Sequence, residues 1–192
     1  MACIFVHLAV AKRYLSNHKG EIENEQDFID GNVLPDVCEP TDKEDTHYGI
    51  RSERVDILKR FSEKISLPNF LRHNKLDSDI NRGRFLHLIT DWEYYNTFLP
   101  REYIRGVDLV SFFKDHMYTL IAHSDYLKQK HGVTFDVTSM EQRLIDLYAG
   151  WRKKDIERWG EVFEGKLLFT TDEIDGFIER MGLVNLEDYA TI

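Results

Sequence analysis

Apolar positions recur at helical spacing along most of this chain. Ile4, Leu8, Ala11 and Leu15 share one face of a segment running from Ile4 to Tyr14, which predicts an amphipathic helix with His7 on or beside its apolar side. A second, shorter helix is expected from Glu25 to Gly31. Residues 32–49 then lose periodicity and collect prolines and acids, so they read as a long ordered loop, a type of segment that tends to carry function.

Arg54 to Ile65 resumes the helical pattern, with Val55, Leu58 and Phe61 on one side. Leu67 to Leu76 predicts a short helix or turn opened by Pro68. Asp77-Ser-Asp-Ile-Asn offers N-cap residues ahead of Arg82 to Phe98, an apolar and aromatic helix stopped by Pro100 and the most buried in character. Asp108 to Lys130 predicts another long helix closed by His131-Gly132.

Residues 133–138 have some strand character but no evident pairing partner, and are read as a connector. Ser139 to Trp159 predicts one or two helices, with Ser139 and Gln142 in a capping-box pattern, and Thr171 to Met181 a further helix ended by Gly182. With no internal repeat, the pattern predicts an all-α, multi-helical single domain. Residues 1–135 would form a helical core and residues 136–192 C-terminal helices packed on the same domain.

Composition narrows the class. Of 192 residues, 42% are hydrophobic and 31% charged, as in ordinary globular chains. The formal charge of −9 opposes bulk association with nucleic-acid phosphates or anionic membranes, while leaving room for a small phosphorylated substrate at a site that cations neutralise. Cys3 and Cys38 form no CxxC pair or disulfide framework, which points to a reduced, cytoplasmic setting. The first apolar run precedes Lys12-Arg13, the reverse of a signal peptide, and nothing reaches the roughly twenty apolar residues of a membrane span. Oligomeric state is left open.

Candidate chemistry centres on His87-Leu-Ile-Thr-Asp91, which places an imidazole and a carboxylate one helical turn apart, where both can reach one ion. Zinc needs at least two more ligands, and the unusual loop supplies Asp36 and His47. The competing interpretation is that Asp36 caps the turn after Pro35 and His47 is an exposed loop histidine. His7 is either a further ligand or a core histidine bonded to a backbone carbonyl. His116 and His123 share one helix face near Asp125 and form either another metal pair or a coincidence of spacing; His18, His73 and His131 read as surface residues. The chain has no GxSxG, GxxxxGK[ST], HExxH or GxGxxG motif and no His-Asp dipeptide of the HD phosphohydrolase type.

Taken in order, His7 in Val-His-Leu-Ala-Val-Ala, Asp36 in Val-Leu-Pro-Asp, His47 in Thr-His-Tyr-Gly, and His87 and Asp91 in Gly-Arg-Phe-Leu-His-Leu-Ile-Thr-Asp-Trp resemble the bacterial zinc-dependent phospholipase C family. That family shares its fold with zinc-dependent single-strand nucleases. The resemblance spans about residues 1–130 and is strongest from Phe85 to Pro100. It implies an all-α fold, up to three zinc ions or other divalent metals, and hydrolysis of a phosphoric ester. Asp36, His47, His87 and Asp91 would form one site, with Asp91 bridging to a second ion held by His7. In the secreted relatives a free N-terminal amine completes that second site.

The chain departs from the family where a third site would lie. No histidine stands between Asp91 and Pro100, and neither His116 nor His123 is followed by an acid four residues on. In a metal-dependent ester hydrolase Asp36 is the candidate general base, because a carboxylate bound through one oxygen leaves the other facing the metal-bound water, and Arg84 or Arg101 is a candidate phosphate contact. The alternatives are a helical binding protein with a structural metal, an HD-like metal phosphohydrolase, or a fold that has lost its metals.

Overall fold

The computed structural model describes residues 2–37, 43–51, 56–133 and 165–191. These are helical almost throughout, as the periodicity predicts, and no strand occurs among them; the one β-bridge pairs Tyr48 with Ile65. Helix α1 covers Ile4–Asn17 and α2 Glu25–Val33, followed by a 3-10 turn, Leu34–Asp36. Then come α3 (Lys43–His47), α4 (Ile57–Ser62), α5 (Leu67–His73) and α6 (Asp79–Glu93), continued by a π-turn over Tyr94–Phe98. The remainder is α7 (Arg101–Arg105), α8 (Leu109–His131), α9 (Thr171–Met181) and α10 (Leu186–Tyr189).

Helix α6 is the centre of the packing, with Phe85, Leu86, Leu88 and Ile89 fully buried. It starts at Asp79, earlier than the expected Arg82, because Ser78 takes the extended N-cap conformation. The Asp79 carboxylate accepts from the backbone N–H of Glu23 (3.0 Å) and Asn24 (2.7 Å), tying the entry of α2 to the start of α6. At the other end the ladder widens: Leu99 N donates to Tyr94 O at 3.1 Å, a π-type step that leaves the consecutive Tyr94 and Tyr95 both buried before Pro100 ends the helix.

Helices α2 and α6 cross at two glycines. A Cβ on Gly31 would sit 2.1 Å from Ile80 O, and one on Gly83 would sit 2.0 Å from Phe28 O, so only glycine permits this approach. It brings the end of α2, and the turn after it, against the middle of α6. Farther along, α8 opens on Asp108, whose carboxylate accepts from Val110 N and Ser111 N, and closes on Gly132 at φ 59° as the His131-Gly132 pair predicts.

The predicted loop of residues 32–49 is more structured than its composition suggests, since it includes the 3-10 turn and α3. The helix expected from Arg54 is shorter, beginning at Ile57 behind the Asp56 cap; residues 52–55 lie outside the described region. The Ser139–Trp159 helices also fall outside it. Helix α9 has the expected bounds, with a Thr170–Glu173 capping box. It packs on α1 through the Arg13–Glu179 ion pair and the Asn17 Nδ2 bond to Gly182 O (2.9 Å). No described helix is long and apolar enough to cross a membrane.

Candidate metal centre

His87 and Asp91 lie one turn apart on α6, at the level where the glycine crossing presses the end of α2 against it. The backbone carbonyl of Asn32, on α2, meets His87 Nδ1 at 2.7 Å. A carbonyl only accepts, so His87 carries its proton on Nδ1 and presents a bare Nε2 lone pair inward. Burial, reinforced by the neighbouring His7, pushes the His87 pKa down to about 3, which keeps the ring neutral.

Asp36 arrives on the 3-10 turn that follows α2, and His47 on the last residue of α3. His47 is oriented from behind in the same way as His87. The Thr46 hydroxyl donates to Pro35 O (2.9 Å), which leaves its oxygen to accept from His47 Nδ1 at 2.9 Å. His47 Nε2 is thereby also bare, and it faces His87 Nε2 at only 3.3 Å.

Two lone pairs at that distance repel unless a cation lies between them. The rest of the geometry has the shape of a cation site. Bonds of about 2.0–2.2 Å to zinc in a tetrahedron imply ligand–ligand edges of roughly 3.3–3.6 Å. Asp91 Oδ2 lies 3.4 Å from His47 Nε2 and 3.6 Å from His87 Nε2, and Asp36 Oδ1 lies 3.8 Å from each. All four donor atoms fall within 4.8 Å of one another. Asp91 Oδ2 is buried and makes no hydrogen bond in the structure, an unusual position for a carboxylate oxygen.

The two carboxylates have a second face. Asp91 Oδ1 lies 3.3 Å from His7 Nε2 and accepts the backbone N–H of Ala2 at 2.9 Å, while Asp36 Oδ2 lies 4.0 Å from the same His7 nitrogen. Both ring nitrogens of His7 are buried without a hydrogen-bond partner. Burial alone would raise the Asp91 pKa, but the interaction with His7, the largest opposing influence, holds the carboxyl well below the usual range. Of the four clustered residues only Asp36 retains measurable exposure, 8% against 0% for the others.

The loop turns sharply after His47. Tyr48 adopts φ 63°, a left-handed conformation that costs a bulky side chain energy. Several anchors hold it there: Asn69 Nδ2 donates to Tyr48 O (3.0 Å), and Arg84 (2.9 Å) and Asn74 Nδ2 (3.0 Å) reach Tyr48 Oη. Ser66 N donates to His47 O at 3.0 Å and Ile50 N to Glu63 O at 2.8 Å, which fastens the histidine's own backbone to the chain before α5.

The structure thus joins Asp36, His47, His87 and Asp91, with His7 against the far side of the carboxylates. His116 and His123 are not part of the group. His116 Nε2 meets Tyr94 Oη at 3.0 Å, with its pKa pushed well down by burial, and His123 Nδ1 meets Thr119 O at 2.8 Å. Asp125 is exposed and pairs with Lys128. His131, expected at the surface, is half-buried and bonded to Asp175 at 2.9 Å. Arg84 is committed to Tyr48 and Asn81 and lies over the Phe70 ring. Sequence reasoning missed Asn32 and Thr46, which set the histidine tautomers. Thr46 stands beside a candidate ligand and could have been suspected; the Asn32 contribution is a backbone carbonyl and leaves no mark in the sequence.

Fold and site define a mostly helical chain with a buried Asp2His2 group able to bind a metal ion. Compared with protein-family models, with curated proteins and with solved structures, the chain shows no match.

Proposed function

We propose that this chain is a metal-dependent hydrolase of phosphoric esters, phospholipase C-like in its chemistry, with zinc as the ion that its donor set suits best. The supporting observation is the pair of bare Nε2 atoms 3.3 Å apart between two carboxylates, with edges close to those of a tetrahedral zinc site. Asp36, His47, His87 and Asp91 would hold one ion. His7, with the outward oxygens of Asp91 and Asp36, would hold a second. The resemblance to the zinc-dependent phospholipases agrees with this division of ligands.

A divalent ion supplies acidity to bound water and offsets phosphoryl charge. The protein's own groups supply the rest. The Asn32 carbonyl and the Thr46 hydroxyl keep both imidazoles in the tautomer that ligates, and the buried walls exclude competing water. Asp36 reaches solvent where the other three do not, so it is the carboxylate placed to take a proton from an entering water and return it to bulk.

A second reading is a closed structural site in a helical binding protein, favoured by the complete burial of His47, His87 and Asp91. Elemental analysis of the purified protein, paired with hydrolysis assays on bis(p-nitrophenyl) phosphate and p-nitrophenyl phosphate with added zinc, manganese or magnesium, separates the two. Two ions per chain and metal-dependent ester cleavage are expected. One tightly held ion without cleavage of either ester would replace the hydrolase reading with the structural one.

A further inference from the structure

The chain carries a net charge of −9, yet one cavity runs against that trend. Between α4 and α7, beside the π-turn that continues the ligand-bearing α6, lies a cavity of about 480 Å³ lined by Lys59, Arg101 and Arg105. That volume suits a small organic ligand. Asp56 is its one acidic lining residue among the described residues, and it is already engaged at the helix start, where Oδ1 accepts Lys59 N at 3.1 Å.

The three cations are not equally occupied. Arg105 pairs with Glu102 Oε1 at 3.0 Å. Arg101 donates to the backbone carbonyl of Asn96, which neutralises no charge, and the Lys59 ammonium makes no ion pair among the described residues. Beneath them the floor is apolar, with Ile57 and Ile104 buried. A guanidinium and an ammonium lining the same cavity as apolar side chains suit an anion that is polar at one end and carbon-bearing at the other.

We propose that this cavity binds the phosphate group of a small phosphomonoester, gripped by Lys59 and Arg101 with the organic part against Ile57 and Ile104. A phosphomonoester carries close to two negative charges near neutral pH and gains more than a singly charged carboxylate does from two cations that have no ion pair among the described residues. The site is separate from the metal ligands and stands whether or not the metal reading does.

The test is isothermal titration calorimetry at low ionic strength on protein stripped of metal with EDTA, so that no bound ion can hold phosphate. The titrants are glycerol 3-phosphate, inorganic phosphate and acetate. Saturable binding of glycerol 3-phosphate is expected, weakened by added salt and about tenfold weaker in the K59Q/R101Q double variant, a loss of about 1.4 kcal/mol. D56N retains a helix-capping oxygen while removing the opposing charge, so it should bind tighter than wild type. Equal binding of inorganic phosphate would support recognition of the phosphate group alone, and its weaker binding a contribution from the apolar floor. Absence of saturable binding, acetate binding as tightly as the ester, or unchanged affinity in a folded double variant would each overturn the proposal.

Discussion

The ring of His7 lies flat on the ring of His87, with centroids 3.8 Å apart and planes 13° apart, while its Nε2 reaches to Asp91 Oδ1 at 3.3 Å. Two histidines from helices distant in sequence therefore address opposite oxygens of one carboxylate.

His7→Gln should lower the metal content from two ions per chain to one and leave the first site loaded. His116→Gln, on a ring that bonds Tyr94 instead, should leave the content unchanged. Elemental analysis after gel filtration reads both. Equal content in His7→Gln and wild type would remove His7 from the metal-binding set.

Thr46→Val keeps the size of the side chain and deletes the oxygen that receives His47 Nδ1–H. Outer partners of this kind are worth about 10- to 100-fold in metal affinity. Competition with a chromophoric chelator should show a loss in that range. An affinity within twofold of wild type would mean that the Thr46 bond does not set the tautomer.

Metal-free protein should lose stability as the pH falls from 7 to 5. The His87 pKa is pushed from 6.5 to about 3 in the folded chain by burial, so below pH 6.5 the unfolded state takes up a proton that the folded state refuses. His116 is shifted the same way by burial, and stability therefore rises with pH across this window. The slope is on the order of 1 kcal/mol per pH unit for each such histidine. Thermal melts in EDTA at several pH values would measure it, and a flat profile from pH 5 to 7 would contradict the buried neutral rings.

Gly83→Ala should destabilise by about 1–3 kcal/mol or more and weaken metal binding, because the new Cβ would push Phe28 O and the end of α2 away from His87. Gly176→Ala is the matched control. It is exposed in α9 with nothing within 4 Å of the added carbon, and should stabilise by about 0.5–1 kcal/mol. Urea denaturation of both variants gives the comparison. Similar effects from the two substitutions would show that the α2–α6 approach is not tight.

Helical periodicity is a local property, so much of the fold could be read along the chain. The bounds of α9, the cap at Asp108 and the placement of His87 and Asp91 on one face of a buried helix all follow from residues three or four apart. Asp36 and His47 stand out because a long acidic loop is unusual, but spacing does not say that their donor atoms meet those of α6. The same reasoning grouped His116 with His123, and the packing of Tyr94 against His116 gave that face another occupant.

What the sequence alone determined, then, is a helical chain with the residue types of a metal site in a suggestive order. Which of them converge is set by the packing of the folded chain. Convergence depends on backbone approaches between segments far apart: Gly31 and Gly83 let α2 touch α6, and the His47 carbonyl is pinned to Ser66. Such contacts obey no short period. They arise when the whole chain finds the one packing in which buried polar atoms are satisfied together.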